Sequence, residues 1–300
     1  MDKNIFLEYL DENNIKTAEP MKNHTTFKVG GPADFYVSVR NKEELIRTVE
    51  IARSNRCEYM ILGKGSNVLV GDKGFHGIII SFDGELSEIK VEGTRIIAGA
   101  GATLSAVAKA AVMNSLTGFE FAAGIPGSVG GALFMNAGAY GGEMKDVVTK
   151  VYALNSDNSV VNLSNPEMDF GYRHSILKEK QMIALGCELE LQKGNEKEIR
   201  EYMQLLADKR KEKQPLEYPS AGSTFKRPTG FFAGKLIEDS GLGGYSVGGA
   251  EVSMKHKGFV INKNNATASD IKTLIGDVQR IVEEKQGVRL EPEVIFLGEF

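Results

Sequence analysis

Gly124-Ile125-Pro126-Gly127-Ser128-Val129-Gly130-Gly131-Ala132 is the stretch on which the fold turns. Four glycines in nine residues read as irregular backbone, because glycine supplies conformational freedom and no side chain to pack. All of 124–142 is therefore expected to be loop, built to let the main chain come close to a ligand. A second cluster, Leu62-Gly63-Lys64-Gly65-Ser66-Asn67-Val68, follows directly on a strand-like run. Its glycines let backbone N–H groups turn toward an anion, and Ser66 and Asn67 add side-chain donors. A third cluster is Gly138-Ala139-Tyr140-Gly141-Gly142. One such cluster is ordinarily only a turn, a reading that the third cluster weakens; the first two loops, about sixty residues apart, are placed to hold the two ends of a pyrophosphate between them.

The familiar phosphate fingerprints are missing. Gly63-Lys64-Gly65 and Gly99-Ala100-Gly101 both lack the last glycine of GxGxxG, and Gly234-Lys235 has Thr229 where a P-loop needs its first glycine. The spelling GxSxG occurs once, at Gly244-Tyr245-Ser246-Val247-Gly248, but it falls between an expected helix and an expected strand, the reverse of a strand-to-helix elbow, so a serine hydrolase has no support. His24, His76, His174 and His256 are scattered without HxxxH spacing, which argues against a metal site. Cys57 and Cys187 each adjoin an apolar run and read as two buried free thiols.

Working outward, 34–39 reads as a strand and 42–54 as a helix with Leu45, Ile46, Val49 and Ala52 on one face; 59–62 is a strand. Strands follow at 77–82, 85–91 and 95–101. Thr103 is a plausible N-cap for a helix carrying Leu104, Val107, Ala108, Ala111 and Val112. Strands resume at 147–155, 159–164 and 181–191. A helix over 196–213 turns Ile199, Tyr202, Met203 and Leu206 inward, and its last turn carries Lys209, Arg210 and Lys211, suited to the negative end of the helix dipole. Residues 214–222 hold two prolines and a glycine and read as a linker. Beyond lie a helix at 231–240, a strand at 257–262, a helix at 269–286 capped by Ser269, and a strand at 293–297. The class is α+β with a boundary near 212.

Composition narrows the function. The 300 residues are 42% hydrophobic and 25% charged with net charge −4, ordinary for a soluble globular chain and unlike a generic nucleic-acid binder. Residues 1–8 show no secretory leader pattern, and no apolar run reaches the roughly 20 residues of a membrane helix. A reducing cytoplasm is the expected location.

Six motifs occur in order: GKGSN (63–67), GIPGSVGGA (124–132), NAGAYG (136–141), YRHS (172–175), GSTFKRP (222–228) and LEPEV (290–294). Together they resemble the UDP-N-acetylenolpyruvoylglucosamine reductases, the MurB family, over nearly the whole chain. The short segment 241–257 leaves no room for the extra Tyr-bearing loop of some members, so the chain is similar to the type II branch. The resemblance implies an α+β FAD cradle of the vanillyl-alcohol-oxidase type, which needs no GxGxxG. It implies FAD-binding subdomains at 1–80 and 81–212 and a substrate-binding domain at 213–300.

It further implies FAD as cofactor, with NADPH and a UDP-N-acetylglucosamine enolpyruvyl ether as co-substrate and substrate of a cytoplasmic monomer. Cofactor contacts fall on Gly63, Lys64, Gly65, Ser66, Asn67, Gly124, Ile125, Pro126, Gly127, Ser128, Gly131, Asn136 and Gly138. Substrate contacts fall on Tyr140, Lys226, Arg227 and His256; some members have Asn where this chain has Arg227. By motif position, Arg173 is the fixed cation at the substrate carboxylate, Glu293 a second, protonated hydrogen-bond donor, and Ser223 the proton donor to carbon. Two rivals remain at this level: an FAD-linked oxidase of the same cradle fold with another substrate, and a non-catalytic nucleotide-sugar sensor.

Overall fold

The structure, a computed structural model, describes residues 2–300. It divides into two compact units. The first comprises the segment ending at Lys16, Tyr36–Lys64 and Ile78–Arg210; the second comprises Thr17–Phe35, Gly65–Gly77 and Lys211–Phe300.

The first unit is built on a five-stranded antiparallel sheet in the order Val160–Ser164, Val148–Leu154, Ile183–Glu190, Arg95–Gly99, Ile89–Glu92. Apolar residues fill the central strand Ile183–Glu190, which is buried on both faces, whereas the edge strand Val160–Ser164 alternates between half-buried and exposed. Register sets Cys187 opposite Val151 on one side and Ala98 on the other, so the thiol sits in the core. Cys57, by contrast, is only half-buried, because it follows the exposed turn that ends its helix.

Helix Leu104–Met113 starts where expected: Thr103 Oγ1 accepts from the Ala106 N–H at 3.1 Å. It buries Leu104, Val107, Ala108, Ala111 and Val112 against the sheet side of the core. Helix Lys42–Ser54 is capped by Asn41 and buries Leu45, Val49 and Ala52, with Ile46 half-exposed. Helix Glu196–Lys213 buries only Ile199 and Leu206 fully; Tyr202 stands 46% exposed, contrary to the expected inward stripe.

The expected 124–142 loop contains a helix, Val129–Phe134, with Ser128 as its N-cap. Gly130 and Gly131 lie inside it. The reason is close packing rather than ligand approach: a Cβ on Gly130 would stand 3.0 Å from Ala100 Cβ, and the Gly130 N–H donates to the Ala100 carbonyl at 2.7 Å. The run 85–91 likewise divides into a 3-10 turn, Gly84–Ser87, and the strand Ile89–Glu92.

The second unit has a three-stranded antiparallel sheet, Ser246–Val247, Ala250–Val252 and Val260–Asn262, against which helix Ala268–Gln286 packs Ile271, Leu274, Ile275, Val278 and Val282. That helix is capped by Thr267, not Ser269. Thr267 and Asp270 form a reciprocal capping box, and Gly287 closes the far end at φ 67°. Ser269 instead donates through Oγ to Asp72 at 2.6 Å, and Asp72 also receives the Ala268 and Ser269 N–H groups at 2.8 Å each. A carboxylate at a helix N-terminus is favourable with the dipole as well as with the open donors.

The compact units do not follow three consecutive blocks. The break after Arg210 lies beside the expected boundary near 212, but Thr17–Phe35 and Gly65–Gly77 pack with the C-terminal part rather than with 1–80. Long-range pairings account for this. Val68–Val70 pairs in parallel with Ile295–Leu297, and the buried Asn262 amide donates to the Phe27 carbonyl at 3.0 Å.

Candidate active site

The segment Gly63–Asn67 leaves its backbone donors open. None of its five N–H groups donates to a protein acceptor among the described residues. Gly65 holds φ +60°, and a Cβ there would lie 2.0 Å from the His24 carbonyl oxygen, so only glycine makes this turn. In the first unit the Gly63 backbone and the 124–131 segment touch: a Cβ on Gly63 would stand 2.3 Å from Ser128 Oγ. The Gly124 N–H is also without a protein acceptor among the described residues, while Ile125 and Gly127 bond within their own turn. Ser128 Oγ is engaged as helix cap, accepting from Gly131 N–H at 3.4 Å. Successive open amides on glycine-relieved backbone are the donors a pyrophosphate requires. On that test the first unit's open amides at Gly63, Lys64 and Gly124 fit the diphosphate of a flavin dinucleotide.

The side chains of Asn136 and Asn67, both expected cofactor contacts, hydrogen-bond within the protein. Asn136 is 2% exposed, and its amide group is committed inside the protein. Nδ2 donates to Glu143 Oε2 at 2.8 Å and to the Gly171 carbonyl at 3.1 Å, and Oδ1 accepts from the Lys145 N–H at 3.0 Å. Asn67 Nδ2 donates to the Glu293 carbonyl at 3.1 Å, and the Asn67 carbonyl accepts from Ile295 N–H at 3.0 Å. Both asparagines brace segments that carry proposed catalytic groups.

Asn136 holds the turn that presents Arg173. Gly171 and His174 exchange backbone hydrogen bonds at 3.2 and 3.3 Å, which leaves Tyr172 and Arg173 as a two-residue tip. Arg173 sits at φ 56°, a conformation that costs a non-glycine residue on the order of 1 kcal/mol or more and persists only when its surroundings impose it. Its guanidinium lies 5.1 Å from the Tyr172 ring centroid. Glu143 nearby is held below the usual carboxylate range, chiefly by the Lys145 ammonium at 3.0 Å, with help from the Asn136 amide and the charge of Arg173.

Within the second unit the structure brings Ser223 and Glu293 onto adjoining segments. Thr224, fully buried, is the junction. Its carbonyl accepts from the Glu293 N–H at 2.8 Å, its N–H donates to the Gly258 carbonyl at 2.8 Å, and its Oγ1 accepts from the Val260 N–H at 2.9 Å. Phe225 and Pro292 form the next bridge. Ser223 is thus one residue from a rigid three-way junction that also fixes Glu293. Thr224 was not singled out from sequence; its place inside Gly222-Ser223-Thr224-Phe225 was the available signal.

The remaining candidates divide. Tyr140 is 43% exposed at φ 53° and lines a cavity with Gly124 and Arg210 in the first unit. Lys226 pairs its ammonium with Glu291 on the next segment. Arg227 donates from Nε to the Phe231 carbonyl at 3.3 Å and lies over the Phe232 ring at 3.9 Å. Near the Thr224 junction, His256 Nδ1 accepts the Gly258 N–H at 3.2 Å, its ring meets Phe259 edge-on, and burial pushes its pKa down, so it is neutral with Nε2 as donor. On the surface, Asp169, His174 and Glu179 bring three ligand-type atoms within 4.8 Å of one another.

No helix among the described residues is long and apolar enough to cross a membrane. Residues 33–164 match the FAD-binding domain family, and 214–297 match the C-terminal domain of UDP-N-acetylenolpyruvoylglucosamine reductase. A UDP-N-acetylenolpyruvoylglucosamine reductase from Caldanaerobacter subterraneus subsp. tengcongensis is 54% identical over 292 residues, spanning 97% of this chain and 96% of that one. The crystal structure of the Thermus caldophilus enzyme of the same name superposes with a TM-score of 0.80 at 35% identity, covering 94% of this chain and 98% of that one. A Phl p 4 variant described as a glucose oxidase shares only the fold, with a TM-score of 0.50 at 13% identity over 64% of this chain and 44% of that one.

Proposed function

The chain belongs to the UDP-N-acetylenolpyruvoylglucosamine reductase family, and from that premise we propose that Ser223, Arg173 and Glu293 carry its reaction. The fold is the α+β FAD cradle of the vanillyl-alcohol-oxidase type with a C-terminal domain. The enzyme is an FAD-dependent oxidoreductase that reduces the enolpyruvyl ether of UDP-N-acetylglucosamine to UDP-N-acetylmuramate with NADPH, a step of peptidoglycan precursor synthesis. Bound FAD supplies a two-electron carrier that serves both substrates in turn.

The chain's own residues have three tasks. Open amides of 63–67 and of Gly124 hold the cofactor's diphosphate. Arg173 meets the substrate carboxylate, where hydride addition at the terminal vinyl carbon raises the negative charge, and a fixed guanidinium stabilises that charge without reorganising. Glu293, protonated, gives the same carboxylate a second hydrogen bond. Ser223 delivers a proton to the carbon bearing the carboxylate, which completes addition of one hydride and one proton across the double bond. Tyr140, Lys226, Arg227 and His256 are proposed to meet the nucleotide sugar. The functional division is two cofactor-binding parts over 1–80 and 81–212 and a substrate-binding part over 213–300. The enzyme is proposed to work as a cytoplasmic monomer, which sedimentation in solution would check.

The observation that best supports the assignment is the Thr224–Glu293 hydrogen bond, which sets the segment of Ser223 beside that of Glu293. Ser223→Ala tests it. Reduction by NADPH should proceed at the normal rate in stopped flow, while reoxidation by the enolpyruvyl sugar slows by several orders of magnitude, as expected for loss of a positioned acid. Normal rates in both halves would remove Ser223 from the reaction.

A further inference from the structure

The loop between the strands Ala250–Val252 and Val260–Asn262 is built around one imidazole. Buried Ser253 starts it: its Oγ accepts the Lys255 and His256 N–H groups at 3.1 and 3.3 Å. The His256 carbonyl then accepts the Phe259 N–H at 2.9 Å, and the half-buried ring meets Phe259 edge-on with the centroids 4.8 Å apart. Gly258 makes room for that ring, since a Cβ there would stand 3.0 Å from His256 Cε1 and 3.2 Å from Nδ1. In return Nδ1 accepts the Gly258 N–H at 3.2 Å. The bond fixes the tautomer, because only an unprotonated Nδ1 accepts, and it leaves the ring proton on Nε2. Nε2 has no hydrogen-bond partner among the described residues.

Gly258 carries the influence of the ring to the reacting groups. Its carbonyl accepts the buried Thr224 N–H at 2.8 Å, and the Thr224 carbonyl accepts the Glu293 N–H at 2.8 Å. From Val260 onward the chain is held by sheet pairing, Val252 opposite Val260. Gly258 lies outside that ladder, and its N–H has no acceptor among the described residues other than His256 Nδ1. A buried N–H that loses its one acceptor is costly, so the segment shifts to recover a partner and the Thr224 N–H shifts with it. Resting on the proton-donor role proposed for Ser223, we propose that His256 is a positioning residue for that step: through Nδ1 it fixes Gly258, and through Gly258 the Thr224 junction that sets Ser223 beside the segment of Glu293. The proton still passes from Ser223 Oγ to the carbon bearing the substrate carboxylate; His256 neither gives nor takes it. The Nε2–H remains the donor that the same ring offers to the nucleotide sugar.

Two amides separate the two ring nitrogens. Asparagine carries its amide oxygen near the position of Nδ1 and can accept the Gly258 N–H; glutamine reaches the position of Nε2 and cannot. Single-turnover reoxidation of the NADPH-reduced full chain, followed by flavin absorbance over a range of enolpyruvyl UDP-sugar, gives a limiting rate and a sugar Kd. The limiting rate should fall about 10–100-fold in His256→Ala and His256→Gln and stay within about threefold of wild type in His256→Asn. Proton delivery becomes the slower event in the two slow variants, so their rate ratio between ordinary and heavy water should rise, while reduction by NADPH stays normal. Gly258→Ala keeps the imidazole but sets a methyl 3.0 Å from Cε1; it should slow the same step and serves if His256→Ala folds poorly. A change confined to the sugar Kd, a His256→Asn as slow as His256→Ala, or equal slowing of both half-reactions overturns the positioning role. Ser223→Ala measured alongside tests the underlying assignment: reoxidation at the normal rate there removes Ser223 as proton donor, whichever way the His256 variants fall.

Discussion

Replacing Asn136 by alanine separates a brace from a cofactor ligand. The wild-type side chain makes three internal hydrogen bonds, at 2.8, 3.1 and 3.0 Å, in a site only 2% exposed. Alanine leaves the Lys145 N–H and the Gly171 carbonyl without this partner. A buried polar group left unsatisfied costs about 1–3 kcal/mol; the Lys145 N–H loses its acceptor while the Gly171 carbonyl keeps the His174 N–H, so about 1–3 kcal/mol of stability is lost. The Glu143 contact adds little, because that carboxylate keeps Lys145 and faces solvent. The functional consequence is specific. With the Asn136 tie to the Gly171 carbonyl gone, only the Gly171–His174 pair holds the turn with Arg173 at φ 56°, and a misplacement on the order of 1 Å costs roughly 100-fold in a positioned reaction. Stopped flow on Asn136→Ala should therefore find reduction by NADPH nearly normal and reoxidation by the enolpyruvyl sugar slowed about 10–100-fold, with full FAD content. Asn136→Asp keeps the acceptor for Lys145 but sets a carboxylate against Glu143; its reoxidation should recover as pH falls and the pair takes up a proton. Loss of FAD with a normal rate of reoxidation would refute the brace and restore the asparagine as a cofactor ligand.

Other outcomes follow from single groups. Cys187, whose thiol burial pushes up to about 12, should resist a disulfide reagent at pH 8 until the protein unfolds, while half-buried Cys57 reacts in the native state; thiol titration with and without denaturant checks both. His256 has a folded-state pKa below its ordinary value of 6.5, so the unfolded chain binds the proton more readily. Its contribution to stability is complete above that ordinary value and declines as pH falls from there through the lower folded-state value; His256→Asn should flatten this part of a denaturation-versus-pH curve. Thr224→Val leaves the Val260 N–H without its acceptor and should cost about 1–3 kcal/mol by urea unfolding, while keeping FAD bound.

How far the sequence reached depended on the range of the interactions. Helix Leu104–Met113, with its Thr103 cap, could be read because periodicity and capping act within a turn or two of the chain. The strands of the five-stranded sheet were visible for the same reason. What local patterns did not report was that Thr17–Phe35 and Gly65–Gly77 pack with residues after 210, since that grouping rests on the pairing of Val68–Val70 with Ile295–Leu297 and on Asp72 at a distant helix start. The cap on helix Ala268–Gln286 was missed narrowly, with Thr267 and Ser269 both of capping type; only Thr267 has the reciprocal partner, Asp270, at the right spacing.

The glycine-rich motifs were harder, because one residue pattern serves two physical ends. Gly65 is glycine for a positive φ against the His24 carbonyl, whereas Gly130 is glycine so that a helix can lie on Ala100. A sequence shows both as missing side chains. The same ambiguity governs the asparagines. Asn67 and Asn136 both stand in glycine-rich motifs, and their amide groups hydrogen-bond to the segments of Glu293 and Arg173. The open donors of 63–67 are main-chain N–H groups, which no residue identity encodes. The side chains inside the motifs are freed for the other task, fixing strained or isolated catalytic groups in place. A polar residue within a glycine-rich binding motif is therefore as well explained by what it braces as by what it touches, and the half-reaction it slows distinguishes the two.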